Sequence, residues 1–216
     1  MENAFIILFG FTMLYIAATS RLAAHINVLV LQGILLFLIC FLDMNEFSIL
    51  NFLFIAFETL LIKSIIIPRF LGGLIKRTKE YRDTEANIHH FYSLFISTVI
   101  LFGGFLISNL NMQAMKLINP LYFGVSIAVI IISLFFITIK HKVISNVIDF
   151  ITMENGIFLL SLSVAKEMPM IVNLGVLLDL FIAVFILGLL VKHINTKFDD
   201  LEIAHLSDLR DCEYVD

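Results

Sequence analysis

Residues 149–162 read DFITMENGIFLLSL, and they place a glutamate, Glu154, in the middle of an otherwise apolar run. The run extends from about residue 143 to residue 165, which is long enough to cross a bilayer as a helix. Glu154 lies roughly 16 Å along such a helix, and from there its side chain reaches neither end. An ionised group at this depth costs at least about 2.5–3.5 kcal/mol on insertion scales, so such residues usually face the protein interior and take part in ion or proton transfer.

The composition of the chain places it among integral membrane proteins. Of its 216 residues, 60% are hydrophobic and only 15% are charged, and the mean hydropathy is +1.02. The apolar runs are continuous and do not alternate with polar residues, which favours membrane-spanning helices over a β-barrel. The N-terminal sequence MENAFIILFG has no basic region and no small-residue cleavage site, so we expect it to begin the first helix. The composition predicts an all-α integral membrane protein.

Apolar runs of about 20 residues predict seven transmembrane helices. The predicted spans cover residues 4–24, 26–43, 47–68, 91–110, 121–139, 143–165 and 170–191. We expect a short turn around Ala24–His25 and the end of the third span at Pro68. The chain then divides into residues 1–75 with three helices, a solvated loop 76–90 (KRTKEYRDTEANIHH), residues 91–119 with the fourth helix and an outer loop, residues 120–192 with three helices, and a tail 193–216.

The basic residues predict the orientation of these helices. Eleven of the 14 lysines and arginines fall in loops on one side: Arg21, Arg69, Lys76, Arg77, Lys79, Arg82, Lys140, Lys142, Lys192, Lys197 and Arg210. Lys116 and Lys166 fall on the other side, and Lys63 lies within a span. Because cytoplasmic loops carry the excess of basic residues, we expect the N-terminus outside and the C-terminus, with the loop 76–90, in the cytoplasm.

Two carboxyls near mid-span are the strongest candidates for a functional site. Glu154 is the first. The second is Asp179, which has the small residues Gly175 and Ala183 one turn away on either side. A stripe of small residues lets a neighbouring helix approach closely, so we expect Asp179 to face that helix and not lipid. Predicted spans six and seven are consecutive and antiparallel, which places Glu154 and Asp179 at similar depth. Each carboxyl has a simpler alternative role as a hydrogen-bonded contact between helices.

Three further charged residues, Glu58, Lys63 and Asp149, are weaker candidates for the functional site. Glu58 is mid-span, and its position alone suggests a functional role. Lys63 follows five residues later, about 140° around an α-helix, and its side chain could instead extend to the cytoplasmic membrane surface. Asp149 lies two turns from the cytoplasmic end of span six, where it either lines an entrance or sits among lipid headgroups.

No motif for covalent catalysis or cofactor binding occurs in the sequence. The two cysteines, Cys40 and Cys212, have no partner at metal or redox spacing, and Cys40 is expected to be a small buried apolar residue. The six histidines fall at span ends or in loops, where we expect them to anchor the interface. There is no glycine-rich phosphate loop and no nucleophile elbow. The sequence predicts no bound cofactor or metal and no nucleic-acid partner.

The C-terminal part of the chain contains KHK (140–142), Glu154 before Asn-Gly, the mid-span acid of LDLFIAVFILGLL (178–190), and LEIAHLSDLRD (201–211). In these features it resembles NuoK of respiratory complex I and the related MrpC of multisubunit antiporters. In that family two intramembrane glutamates on successive helices belong to the proton path. By this resemblance Glu154 corresponds to the first and Asp179 to the second, although the family usually has glutamate there. The resemblance makes 120–192 a NuoK-like three-helix unit.

Three further features of the chain are MENG (153–156), Lys63 followed five residues on by Pro68, and Asp179 four residues before Ala183. They carry a similarity, over nearly the whole chain, to HyfE, the E component of hydrogenase-4 and a membrane subunit of formate-hydrogenlyase-type nickel–iron hydrogenases. It implies a non-catalytic subunit of the bacterial inner membrane. The implied partners are antiporter-like and NuoH-like subunits, the hydrogenase arm and the bilayer. A purely structural subunit and an independent secondary transporter are the alternatives.

Overall fold

The computed structural model describes residues 2–42, 57–78, 82, 90–110 and 119–164. Apart from one isolated bridge between Arg21 and Arg82, the regular structure of this part of the chain is entirely helical. The elements are α1 (Glu2–Ala18), α2 (Leu22–Leu42), a π-helix (Phe57–Ile66), α3 (Ile67–Thr78), α4 (His90–Leu110), α5 (Pro120–Ile139) and α6 (Val143–Val164). The predicted all-α class is confirmed for these residues.

Four of the described helices are long and apolar enough to cross a membrane: α2, α4, α5 and α6. α4, α5 and α6 match the predicted spans 91–110, 121–139 and 143–165, α2 begins four residues before the predicted span 26–43, and α1 is a shorter apolar helix. Helices suit these runs because a helix satisfies every backbone N–H and C=O within itself, which an apolar solvent requires. The predicted seventh span, residues 170–191, lies outside the described residues.

The turn between α1 and α2 comes earlier in the chain than the predicted turn around Ala24–His25. Both residues belong to the first turn of α2, and the turn is made by Thr19, Ser20 and Arg21. His25 is buried, and its Nε2 lies 2.9 Å from the Thr19 carbonyl oxygen at the end of α1. That hydrogen bond satisfies a carbonyl that the end of a helix leaves unpaired. The expectation that His25 anchors the interface is therefore wrong.

The third predicted span also continues further than expected. Pro68 is the second residue of α3, and the helix runs on to Thr78. The ten residues before α3 form the π-helix. A proline removes one backbone hydrogen bond and its ring meets the carbonyl four residues earlier, so a wider helical register before Pro68 accommodates it. The first three residues of the predicted loop 76–90 are consequently still helical.

Two apolar clusters hold the helices together. The larger one joins α1, α2, α4, α5 and α6 through residues such as Phe9, Leu36, Val129 and Phe158. The smaller one joins the start of α2, α3 and the start of α6 through residues such as Leu29, Leu71 and Ile148. Cys40 is 1% exposed and packs in the larger cluster, as predicted. The α6 helix therefore contributes to both clusters, and its central turns lie where they meet.

One end of the bundle gathers basic residues from three separate connections. Arg21 between α1 and α2 forms an antiparallel backbone bridge with Arg82. The Lys142 ammonium, just before α6, donates to the Arg82 carbonyl oxygen at 3.0 Å. The ends of α1 and α5 and the starts of α2 and α6 therefore lie at the same end of the bundle, which we call the basic end.

Candidate functional site: buried charges on one helix

The buried face of α6 carries polar and charged side chains from the basic end to its midpoint. Asp149 and Thr152 are 0% exposed, Asn155 is 1% exposed and Glu154 is 2% exposed. Asp149, Thr152 and Asn155 follow one another at intervals of three residues, which keeps them close to one side of the helix. The Thr152 hydroxyl donates to the Ile148 carbonyl oxygen at 2.9 Å. This polar face is the candidate functional site.

Asp149 forms a buried ion pair with Lys140. The lysine Nζ lies 2.9 Å from Oδ1 and 2.8 Å from Oδ2, and the two side chains are 8% and 0% exposed. The ammonium also lies 4.8 Å from the centre of the Phe136 ring, within the range of a cation–π contact. Asp149 therefore does not sit among lipid headgroups, and Lys140, counted above among the loop residues, belongs to the protein interior.

Lys63 also points into the protein. It is 2% exposed, and its Nζ lies 5.3 Å from the centre of the Phe158 ring of α6. The alternative in which the Lys63 side chain extends to the cytoplasmic membrane surface is therefore wrong. Phe158 follows Glu154 by one helical turn, and residues four apart lie on the same face of a helix. The Lys63 ammonium is thus held against the face of α6 that also carries Glu154.

The backbone around Lys63 explains how the lysine reaches this depth. Gly33, near the midpoint of α2, packs directly on the π-helix, and an added Cβ there would lie 3.3 Å from the Thr59 carbonyl oxygen. The Ser64 hydroxyl donates to that same carbonyl at 3.0 Å, a contact across five residues that matches the π-helical repeat. A glycine at position 33 therefore brings the π-helix close to α2 at mid-depth.

A hydrogen-bonded chain of neutral residues crosses the bundle beside these charges. The Asn155 amide nitrogen donates to Gln32 Oε1 at 3.1 Å, and the Gln32 amide nitrogen donates to Thr12 Oγ1 at 2.8 Å. The Thr12 hydroxyl in turn donates to the Phe9 carbonyl oxygen at 2.6 Å. The chain links α6, α2 and α1 at the midpoint of each helix. We call Thr12, Gln32 and Asn155 the amide chain.

Three of the five predicted site residues are buried at α6: Lys63 lies at the turn that follows Glu154, and Asp149 lies five residues before Glu154, about 140° around the helix, paired with Lys140. Glu58 belongs to the first turn of the π-helix, and the description does not extend to its side chain. In an α-helix, residues five apart are rotated by about 140° from each other, whereas in a π-helix they lie closer to the same side. The backbone positions of Glu58 and Lys63 are therefore better aligned than predicted. Asp179 lies outside the described residues.

Lys140, Gln32 and Asn155 also belong to this site, and the sequence analysis does not predict them. Lys140 follows an apolar run and precedes Asp149 by nine residues, which resembles an ordinary membrane-flanking lysine. Gln32 gives the stronger signal in the sequence, because an uncharged polar side chain in the centre of an apolar span needs a hydrogen-bond partner. Its partner Asn155 is 123 residues away in the chain, so the pairing itself is not visible in the sequence.

Comparison with known proteins gives a distant relative and no family. The chain is 25% identical over 160 residues to the uncharacterized protein Rv0085 of Mycobacterium tuberculosis, an alignment that covers 73% of this chain and 72% of that protein. No protein-family model matches the chain. No solved structure matches it either.

Proposed function

We propose that this chain is a membrane subunit of an energy-converting hydrogenase or another complex-I-like assembly, and that its intramembrane carboxyls form part of a proton pathway. The observation that carries the proposal is that two buried lysines from other elements lie against the part of α6 that carries Asp149 and Glu154. Asp149 is paired with Lys140 toward the basic end, and Lys63 is held at the face of Glu154 near the midpoint. The resemblance to HyfE and NuoK supplies the kind of assembly.

The spacing of these groups suits stepwise proton transfer. Asp149 and Glu154 are separated by about 7.5 Å along the helix axis, and the Thr152 hydroxyl lies between them in the chain. When one carboxyl takes up a proton, its negative charge is neutralised and the positive charge of the neighbouring lysine is no longer balanced. The site becomes more positive, which favours release of a proton from the other carboxyl. In the full pathway Asp179 would continue the relay on a seventh helix, in the arrangement that the resemblance to NuoK implies.

The proposed orientation places the basic end in the cytoplasm. Arg21, Arg82 and Lys142 meet there, and all three belong to the side with the excess of basic residues. The Lys140–Asp149 pair would then lie at the cytoplasmic mouth of the pathway, and Glu154 near the centre of the membrane. The proposed location is the bacterial inner membrane, with antiporter-like and NuoH-like subunits as neighbours.

A purely structural role is the alternative that one observation favours. The Lys140–Asp149 pair is closed, with both carboxylate oxygens within 2.9 Å of the ammonium, as in pairs that only join helices. A carboxyl that joins helices through hydrogen bonds alone, unlike the ion-paired Asp149, tolerates replacement by its amide, which keeps the size and still donates and accepts hydrogen bonds. Amide variants therefore distinguish the two roles.

The first prediction concerns Glu154 and Asp179. We expect Glu154→Gln and Asp179→Asn to leave the complex assembled and to lower proton translocation coupled to hydrogen evolution by about tenfold, equivalent to about 1.4 kcal/mol of barrier. Asp179→Glu, which places the family's usual residue, should retain activity, and Glu58→Gln should have a smaller effect than Glu154→Gln. Proton movement is measured in inverted membrane vesicles, and assembly is checked on native gels.

Two lysine variants complete this experiment. Lys63→Met removes the charge held against α6 and should impair translocation as Glu154→Gln does. Lys142→Met is the matched control, because its ammonium contacts the exposed Arg82 carbonyl at the basic end and it should leave translocation unchanged. Full translocation in both amide variants, in complexes that assemble normally, would show that the carboxyls serve only to join helices.

A further inference from the structure

The amide chain has a fixed direction. The Thr12 hydroxyl has one proton, which it donates to the Phe9 carbonyl oxygen at 2.6 Å, so toward Gln32 the hydroxyl oxygen acts as an acceptor. The Gln32 end that meets Thr12 must therefore be its N–H, as the 2.8 Å contact has it. The Gln32 oxygen then faces Asn155 and accepts its amide N–H at 3.1 Å. The orientation of all three side chains follows from one backbone carbonyl, which removes the usual ambiguity of amide assignment.

This direction leaves the Asn155 oxygen, and not its nitrogen, as the free end of the amide chain. Asn155 is 1% exposed, and its Oδ1 accepts no hydrogen bond from any side chain or backbone group that the structure describes. A buried amide oxygen without a donor costs about 1–3 kcal/mol, so native structures rarely leave one unsatisfied. Asn155 directly follows Glu154, and adjacent helical residues diverge by about 100°, which places the two side chains on neighbouring faces of α6.

We propose that Asn155 Oδ1 is one half of a binding site for an ordered water molecule, that the carboxyl of Glu154 is the other half, and that Gln32 is the positioning residue that orients Asn155 for it. A buried water typically makes two to four hydrogen bonds to polar groups, and it can donate one proton to each of two acceptors. The Asn155 amide oxygen and the Glu154 carboxyl, on adjacent residues of α6, would be the two acceptors. The water would be the group through which Glu154 gains or loses its proton, and this role rests on the proposed function.

The alternatives to water at this position are weaker on chemical grounds. A metal cation is disfavoured, because within the described residues no three carboxylates, histidines or cysteines come together and the Lys63 ammonium is held at the same face of α6. An apolar ligand would leave the amide oxygen unsatisfied. A water, which is neutral and donates hydrogen bonds, matches an acceptor pair beside a resident cation.

The test of the site itself is a density map. Electron cryomicroscopy of the full chain in its native membrane assembly, at a resolution that shows ordered waters, should reveal density within hydrogen-bond distance of Asn155 Oδ1. The density should disappear in Asn155→Leu and weaken or move in Gln32→Leu. Gln32→Glu should retain it, because a protonated glutamate accepts the Asn155 N–H with its carbonyl oxygen and donates its hydroxyl to Thr12 in place of the Gln32 N–H. A protein donor at Oδ1 in place of water, or density unchanged in Gln32→Leu, would overturn the inference.

The test of its role is translocation in the same variants. We expect about a tenfold loss in Gln32→Leu and Asn155→Leu and near-complete recovery in Gln32→Glu, with all three complexes assembled on native gels. If Gln32 only held helices together, activity would follow the amount of assembled complex in every variant. If Glu154→Gln translocates normally while the density at Asn155 is present, the proposed function fails and the water site stands. Absence of the density in a complex whose translocation depends on Glu154 overturns the water site alone.

Discussion

At the scale of single residues, the described part of this chain keeps two lysines in its interior. Lys140 is neutralised by Asp149 and lies over the Phe136 ring, and Lys63 lies over the Phe158 ring. Removing an ion pair from water is costly, and its mutual attraction compensates only when the geometry is good. Breaking such a pair is therefore much more harmful than replacing both partners with apolar residues of similar size.

Variants of the Lys140–Asp149 pair test how much this ion pair stabilises the protein. Lys140→Met leaves the Asp149 carboxylate buried without its counter-ion, and we expect it to lower the free energy of unfolding by about 3–5 kcal/mol. Asp149→Leu should cost a similar amount. The double variant should recover most of the loss, because neither charge is then left alone. Thermal or denaturant-induced unfolding in detergent, of the purified chain or its complex, gives the stability of the parent, the two single variants and the double variant, which form a double-mutant cycle.

The control for this cycle is Lys142→Met, at the basic end two residues from Lys140. Its ammonium contacts a backbone carbonyl in an exposed position, so the expected change is below about 1 kcal/mol. Strictly additive losses in the double variant would mean that Lys140 and Asp149 do not stabilise each other, contrary to the observed geometry.

At the scale of helices, glycines decide how closely neighbours approach. A Cβ added to Gly104 of α4 would lie 2.5 Å from the Gly124 carbonyl oxygen and 2.8 Å from the Ala128 side chain of α5. A Cβ added to Gly156 of α6 would lie 3.0 Å from a Val129 methyl group. Small residues at such crossings increase the van der Waals contact between helices, which replaces the hydrophobic effect as the source of association in lipid.

The adjacent residues Gly103 and Gly104 give a matched pair for testing this contact. Gly104→Ala must push α4 away from the backbone of α5, and we expect a loss of about 1–3 kcal/mol in unfolding free energy. Gly103→Ala adds its methyl group where no atom lies within 4 Å, and alanine favours the helix, so this variant should be neutral or slightly stabilising. Thermal unfolding of the two variants side by side measures the difference. Equal stability would mean that α4 and α5 do not cross at Gly104.

At the scale of the whole molecule, connections far apart in the chain meet at the basic end. The backbone bridge between Arg21 and Arg82 joins the turn after α1 to the segment between α3 and α4. An antiparallel bridge brings two Cα atoms to about 4.5–5.5 Å, which lies within the range that a disulfide spans. The structure therefore predicts that cysteines at these two positions can be linked.

The linking experiment also tests the proposed orientation. In a chain whose Cys40 and Cys212 are replaced by alanine, Arg21→Cys with Arg82→Cys should form a disulfide with a mild oxidant, and the control pair Arg21→Cys with Asn109→Cys, at the far end of α4, should not. Either single cysteine at 21 or 82 should react with a membrane-impermeant thiol reagent from the cytoplasmic side alone. Labelling from the outer side would reverse the orientation, and failure to link would contradict the bridge.

The sequence alone determined the class of this protein and the positions of its described spanning helices. The runs predicted at 91–110, 121–139 and 143–165 agree with α4, α5 and α6 to within one residue at each end. This works because the cost of placing a segment in lipid is a sum over its own residues, so the information is local. Glu154 was found in the same way, because one carboxyl stands out in an apolar run.

Only the tertiary structure decided what each polar group does inside the bundle. It turned Lys63 inward, paired Lys140 with Asp149, continued the helix past Pro68 by means of a π-helix, and joined Gln32 to Asn155 across 123 residues. The physical reason is that a buried polar side chain is defined by its partner, and that partner stands on another helix. Hydropathy detects that such a group is costly in lipid, but the helix packing determines which other group stabilises it.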